Sequence, residues 1–349
     1  KKAGKLISNS GLGSTNAGEL ISNSATLKVI PFQRGAGWRN EAMEKGATKE
    51  VFNAIDLGLA WLAKVQEEDG RWDSTKWGGG GHDLGCTGLA LLAFLGDGNS
   101  HVQGKYRDNV KRALDWIASQ QKENGSLGWK TFYEQGIAAM ALCEAFSLSQ
   151  DSRYYNAAKL SIKHIIDKMG PDGGFGYNGP GSDTSVTGWQ IMALKSAQQA
   201  DIHIPKDVWN KLKVYLEKSI NPNGSTGYTY NTSPRNSMTA IGMFCRIFLK
   251  YPKEDPNIAK ARDLLHAAGP VLPNQYYLYY ATYCMFQMGG DYWSKWNIKF
   301  RDPLIALQEK TGENMGSWGG WQYNAGRVYS TALNLMSLEV YQRFLPVYR

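Results

Sequence analysis

Two stretches, Gln66-Glu67-Glu68-Asp69-Gly70-Arg71-Trp72 and Thr87-Gly88-Leu89-Ala90-Leu91-Leu92, decide how the chain is read. The first is a glycine turn ending on an aromatic residue; the second is an apolar run with a small residue in its second place. The run returns as Gln135-Gly136-Ile137-Ala138, Thr187-Gly188-Trp189-Gln190 and Thr239-Ala240-Ile241-Gly242, and more loosely at Tyr280-Ala281 and Thr331-Ala332. Its small residues, Gly88, Gly136, Gly188, Ala240, Ala281 and Ala332, stand 48, 52, 52, 41 and 51 residues apart. A recurrence at this length marks a repeat architecture whose units bury their apolar faces on one another.

Each unit reads as two helices. In the upstream helix, Phe52, Ile55, Leu59 and Leu62 recur at spacings of three and four, while Lys49, Glu50, Asp56 and Lys64 fall on the other faces. That pattern predicts an outer helix with one wet side. The downstream run, such as Leu84 to Leu95, is apolar nearly all round and predicts an inner helix enclosed by others. Between them lies the turn, repeated around Gly125, Gly173, Gly224 and Gly316. Glycine is expected to end the outer helix in the left-handed conformation while an aromatic packs back over the turn. Only the fifth unit, around Gly269-Pro270-Val271-Leu272-Pro273, is short and lacks the aromatic.

The Gln…Asp-Gly-x-Trp turn followed by a Thr-Gly-hydrophobic helix resembles the repeat of squalene and hopene cyclases and of protein prenyltransferase beta subunits. The resemblance runs from about Lys49 to Arg349 and implies an all-α fold, an (α/α)6 toroid of six inner and six outer helices. One fold hosts many functions, so the likeness alone assigns none. Cyclases of this family use an Asp-x-Asp-Asp acid; the matching stretch here is Pro180-Gly181-Ser182-Asp183-Thr184, which keeps only Asp183. A prenyltransferase zinc site needs Asp, Cys and His, and His82, Asp83 and Cys86 offer these types locally, but on a helix His82 points away from the other two. The thioester domains of complement-like proteins also form this toroid; their bond needs Gln three residues after Cys, where this chain has Leu89. No metal and no cofactor is expected.

The chain has 349 residues, 42% of them hydrophobic, enough for one large core. Its four cysteines, Cys86, Cys143, Cys245 and Cys284, fall in inner helices and read as small hydrophobes. The net charge is 39 − 31 = +8, of which residues 1–48 carry 7 − 3 = +4. With no basic cluster interleaved with aromatics, nucleic acid is not an expected partner, and no apolar run is long enough to span a membrane.

Residues 1–48 differ from the toroid, residues 49–349. They are rich in Ser, Asn and Gly, repeat Leu-Ile-Ser-Asn-Ser at 6–10 and 20–24, and begin without Met. They read as an extended arm, anchored by Leu6, Ile7, Leu20, Ile21, Val29, Ile30 and Phe32. The arm docks either on its own toroid or on a second subunit, which would make it the route of self-association. The missing Met and the tail composition point to export.

Repeat equivalence places Asp83, Thr131, Asp183, Arg235, Tyr276 and Arg327 at one rim. Asp83, Thr131 and Asp183 suit helix N-caps. Arg235 and Arg327 oppose the helix dipole there, so they serve either a rim salt bridge with Asp183 or recognition of an anion. Below the rim the fifth inner helix carries Tyr276, Tyr277, Tyr279, Tyr280 and Tyr283, joined by Trp189, Tyr133 and Tyr329, either plugging the axis or lining a cavity for an apolar ligand. The leading expectation is a non-catalytic binding or assembly protein that packs through its arm and holds an apolar or anionic ligand at Asp83, Tyr133, Trp189, Arg235, Tyr276, Tyr280, Arg327 and Tyr329. The alternative is an isoprenoid- or lipid-processing enzyme, with Asp183 as acid and the two arginines on a diphosphate.

Overall fold

A computed structural model of the chain describes residues 38–320 and 325–343. The six inner helices are α3 (Asp83–Gly96), α5 (Phe132–Ser149), α7 (Thr184–Gln199), α9 (Asn236–Phe248), α11 (Gln275–Met288) and α13 (Gly326–Leu338). The outer six are α2 (Lys49–Lys64), α4 (Arg107–Ser119), α6 (Ser152–Asp167), α8 (Lys206–Ser219), α10 (Pro256–Ala268) and α12 (Gly290–Ala306). Each inner helix packs on the next and α13 packs back on α3, so the ring is closed. The fold is the all-α (α/α)6 toroid.

The repeated small residue sits where neighbouring inner helices touch. A Cβ on Gly88 would lie 2.8 Å from Ile137 Cγ2, and one on Gly136 would lie 2.6 Å from Gln190 Nε2. The residue before it has a second task. Thr87 Oγ1 accepts the main-chain N–H of Trp72 at 3.0 Å, and Thr187, Thr239 and Thr331 do the same for Phe175, Thr226 and Trp318. In the second unit Gln135 Oε1 accepts from Leu127, so Leu127, and not Trp129, fills the wedge position. Trp72 and Trp318 also donate Nε1 to Leu62 and Leu304, carbonyls of their own outer helices. The Thr-Gly pair thus joins turn to inner helix and inner helix to inner helix.

The turn glycine does not end the outer helix, which already stops at Lys64 in the first unit. Gly70 stands six residues beyond, at φ +100°, and a Cβ there would collide with the carbonyl of Arg112 on α4. Gly316, at φ +94°, meets Leu57 of α2 in the same way and so closes the outer ring. Glycine is required twice over, for the left-handed backbone and for contact with the next unit's outer helix. The repeated Gln ties this contact down: Gln66 Nε2 donates to Asn109 O at 3.0 Å, Gln121 to Ala157 O at 2.8 Å and Gln308 to Ala54 O at 2.8 Å.

The expected arm is not extended throughout. Trp38–Glu44 forms α1, which packs on a last short helix, α14 (Val340–Arg343), and buries Ala42. Residues 1–37, with all seven proposed anchors, lie outside the described residues. The four cysteines are buried and free, and no described helix is long and apolar enough to cross a membrane.

Candidate functional site

The N-terminal halves of α3, α5, α7, α11 and α13 line a cup of 210 Å³. Leu89, Ile137 and Trp189, each directly after the repeated glycine of its helix, form the lower wall. Tyr133 of α5, Tyr276 of α11 and Tyr329 of α13 form the upper wall. Tyr177 and Tyr228 complete the rim with Ala325. These two tyrosines belong to the third and fourth turns, and each main-chain carbonyl accepts the first N–H of an inner helix, Phe132 in α5 and Thr184 in α7, both at 2.7 Å. Tyr177 sits between β1 (Phe175–Gly176) and β2 (Gly179–Pro180), whose antiparallel pairing holds it over Tyr133 with ring centroids 5.6 Å apart.

Among the described residues no charged side chain lines the cup. Its polar groups are hydroxyls: Tyr133 Oη lies 3.3 Å from Tyr276 Oη, which donates to the Ser185 carbonyl at 3.3 Å. Burial pushes both phenols well above their ordinary range, so both stay neutral and act as hydrogen-bond donors.

Below Trp189 the axis is filled. The Trp189 ring stacks on Tyr279 at 6.0 Å and meets Tyr280 edge-on at 5.9 Å; Tyr280 in turn packs on Phe244. Tyr279, Tyr280 and Tyr283 are fully buried. Under them Arg343 closes the opposite mouth. Its guanidinium reaches both oxygens of Glu144 at 3.0 and 2.7 Å and the Leu92 carbonyl at 2.6 Å, with Glu339 at 3.7 Å. The axis is therefore a shallow cup above an aromatic floor and a buried ion cluster. Tyr280 belongs to the floor.

The rim residues divide. Asp83 is not an N-cap: it begins α3 behind His82, and its carboxylate takes Arg71 Nε at 3.1 Å and the Ser74 N–H at 2.9 Å, pinning the first turn. Thr131 holds the N-cap position of α5 without a side-chain bond, and the Tyr177 carbonyl takes the helix's first N–H. Asp183 does cap α7, accepting from Ser185 and Val186 N–H at 2.8 and 3.1 Å and from the Ser185 hydroxyl. Arg235 lies over the Tyr228 ring at 5.4 Å, the one predicted cation beside the cup wall. Arg327 reaches instead to Ser317 Oγ at 3.0 Å and Glu309 at 3.6 Å in the sixth turn. Neither arginine pairs with Asp183 in a salt bridge.

The sequence reading did not single out Leu89, Ile137, Tyr177, Tyr228 or Ala325. For Leu89 and Ile137 a signal existed, because both follow the repeated glycine as Trp189 does. A rim pair was also passed over: His82 Nδ1 lies 2.6 Å from Glu134 Oε1, between α3 and α5, with the carboxylate buried and the imidazole half exposed. His82 and Asp83 face separate partners, Glu134 and Arg71, and burial pushes the Cys86 thiol up to about 12. Among the described residues no three His, Cys, Asp or Glu side chains are grouped so as to hold a metal ion.

No protein-family model matches the chain, and no curated protein matches it in sequence. Its fold is similar to solved structures. A variant of the type II terpene cyclase MstE from Scytonema, in complex with geranylgeranyl dihydroxybenzoate, matches with TM-score 0.59 at 13% identity, over 87% of this chain and 99% of that one. An α-amylase from Clostridium perfringens matches with TM-score 0.61 at 12% identity over 83% and 97%. An α-1,6-mannanase from Salegentibacter matches with TM-score 0.62 at 9% identity over 84% and 98%. The chain thus has the α/α toroid that terpene cyclases share with some glycoside hydrolases; at these identities the likeness is one of fold.

Proposed function

We propose that the toroid binds a compact apolar group, a single ring or the end of an isoprenoid chain, in the tyrosine cup. The observation that carries this reading is a 210 Å³ hollow with walls of Tyr, Trp, Leu and Ile and no charge. An apolar cavity of about 150 Å³ accepts benzene, so this one suits a ring with a small substituent or about two prenyl units, with longer chains leaving through the mouth. Tyr133 and Tyr276 offer hydroxyls to a polar head, and Arg235 at the rim suits an acidic one. The terpene cyclase neighbours in complex with an isoprenoid substrate support this ligand class. The carbohydrate enzymes support it less, because glycoside hydrolysis needs two carboxyl groups flanking the bond and none of the described residues lining the cup carries one.

A second reading, an isoprenoid-processing enzyme, is favoured by the same neighbours and by Asp183. That carboxylate caps α7 through Ser185, whose carbonyl touches Tyr276 in the cup wall. All three of its hydrogen bonds fall on Oδ1, so as an acid it would carry its proton on Oδ2. Its aromatic neighbours would stabilise a carbocation through their ring faces.

The test is titration of the full chain with farnesol, geranylgeraniol and maltose, followed by native mass spectrometry. Binding of the prenyl alcohols, weakened about tenfold or more by Ile137→Trp, supports the cup, since the indole occupies about one ring's volume. Maltose preference, or prenyl binding indifferent to the substitution, refutes it. Conversion of a geranylgeranyl substrate to a cyclic product, lost in Asp183→Asn, would establish the enzyme instead.

A further inference from the structure

The polar corner of the cup has a fixed direction. Tyr133 Oη and Tyr276 Oη stand 3.3 Å apart, and Tyr276 donates onward to the Ser185 carbonyl at 3.3 Å. A neutral phenol brings one proton and two lone pairs. Because the Tyr276 proton is committed to Ser185, the proton between the two phenols belongs to Tyr133. Both hydrogen bonds therefore run along the wall and into the first turn of α7, and the series begins at the lone pairs of Tyr133 Oη. Tyr133 is half-buried where Tyr276 is buried, so it is the member of the pair that a ligand in the cup reaches.

Asp183 holds the far end of this series in place. Its Oδ1 accepts the Ser185 and Val186 N–H groups at 2.8 and 3.1 Å and the Ser185 hydroxyl as well. That hydroxyl is a further polar neighbour of Tyr133, and with its proton on Asp183 it has none to turn back toward the phenol. The aspartate that remains of the cyclase-like motif thus sets the sense of the hydrogen bonds in the cup wall.

We propose that the cup selects ligands whose polar group is a hydrogen-bond donor, a phenol or a prenyl alcohol, over ethers of the same size, a selection that rests on the cup being a binding site. A donor adds a hydrogen bond to Tyr133 Oη and leaves the series intact. An acceptor gains one only if Tyr133 turns its proton to it, which leaves two phenol oxygens facing each other with no proton between them. The difference is one net hydrogen bond, about three- to tenfold in affinity.

The isomers p-cresol and anisole, with geraniol and its methyl ether as longer counterparts, serve as probes, measured on the full chain by calorimetry and saturation-transfer NMR. As isomers, p-cresol and anisole bury nearly the same apolar area, so the hydrophobic effect treats them alike. p-Cresol is expected to bind about three- to tenfold tighter than anisole, and geraniol to exceed its ether in the same sense. Tyr133→Phe keeps the ring and removes the acceptor, and is expected to bring the two isomers within about twofold of each other, a ratio that a merely structural role would not move. Ile137→Trp is expected to weaken all four probes, which ties them to the cup. If p-cresol gains less than about twofold over anisole, or keeps its advantage in Tyr133→Phe, while Ile137→Trp still weakens both, the donor selection is overturned and the cup stands. Saturable binding of none of the four up to about 10 mM overturns the cup itself and the selection with it.

Discussion

Replacing Arg343 with Met tests whether the mouth opposite the cup is closed by a buried charge cluster. The guanidinium is 1% exposed, and it neutralises Glu144, 2% exposed, within reach of a second buried carboxylate, Glu339. Burial raises the Glu144 pKa above 4.5 and Arg343 opposes that rise. Removing one partner of a buried pair costs about 3–5 kcal/mol, because the other charge stays dehydrated. The pH dependence has a definite sign. A carboxyl whose folded pKa lies above its unfolded value contributes its full stability below the unfolded pKa and loses it as pH rises through the folded one. Without Arg343 the Glu144 pKa climbs further, so the variant's deficit should be largest near about pH 8 and shrink as the pH falls to about 4.5, because the variant's buried carboxyl takes up its proton at a higher pH than the parent's. The residue left at low pH reflects the lost bond to the Leu92 carbonyl. Urea unfolding followed by circular dichroism at the two pH values measures this, and adding Glu144→Gln should recover about 1–2 kcal/mol at the higher pH. A deficit under about 1 kcal/mol near pH 8, or one equal at both pH values, refutes the idea of a sealed cluster.

Gly316→Ala should cost about 3 kcal/mol, from left-handed strain plus displacement of the Leu57 carbonyl, whereas Gly312→Ala, also at positive φ but facing open space, should cost only about 1 kcal/mol. Equal losses in thermal unfolding would mean that turn-to-helix contact does not hold the outer ring together. Lys195 on α7 is 7% exposed, and burial, aided by Lys250, pushes its pKa down to about 8. The native state then binds fewer protons than the unfolded chain between about pH 8 and about 10.5, so stability rises with pH through that window. Lys195→Met should therefore stabilise the protein by about 1–3 kcal/mol near pH 7, a gain that fades by about pH 10.5. Denaturant midpoints across this range decide it, and a Met variant less stable at neutral pH would count against the argument.

Legibility in the sequence followed periodicity. Enclosure of the inner helices was readable because a run such as Leu84 to Leu95 has no wet face, and all of its residues are buried. The Thr-Gly pair and the turn glycine were readable as repeated letters. Their work was not: Thr87 bonding Trp72, or Gly316 seated on Leu57, joins groups distant along the chain. Cup residues divide the same way. Tyr133, Trp189, Tyr276 and Tyr329 could be placed by repeat equivalence, while Tyr177 and Tyr228 reach the rim because their turns fold back to receive an N–H from α5 and α7.

The amino-acid order by itself determined six hairpins, their inner and outer members, and the odd fifth turn, since these depend on spacing and on backbone preferences that act locally. Only the tertiary structure decided that the ring closes, that Arg327 reaches into the sixth turn while Arg235 stays on the rim, and that the axis is half filled. These depend on which side chain reaches a shared space first, and volume and charge across a closed ring are not recorded in any one repeat.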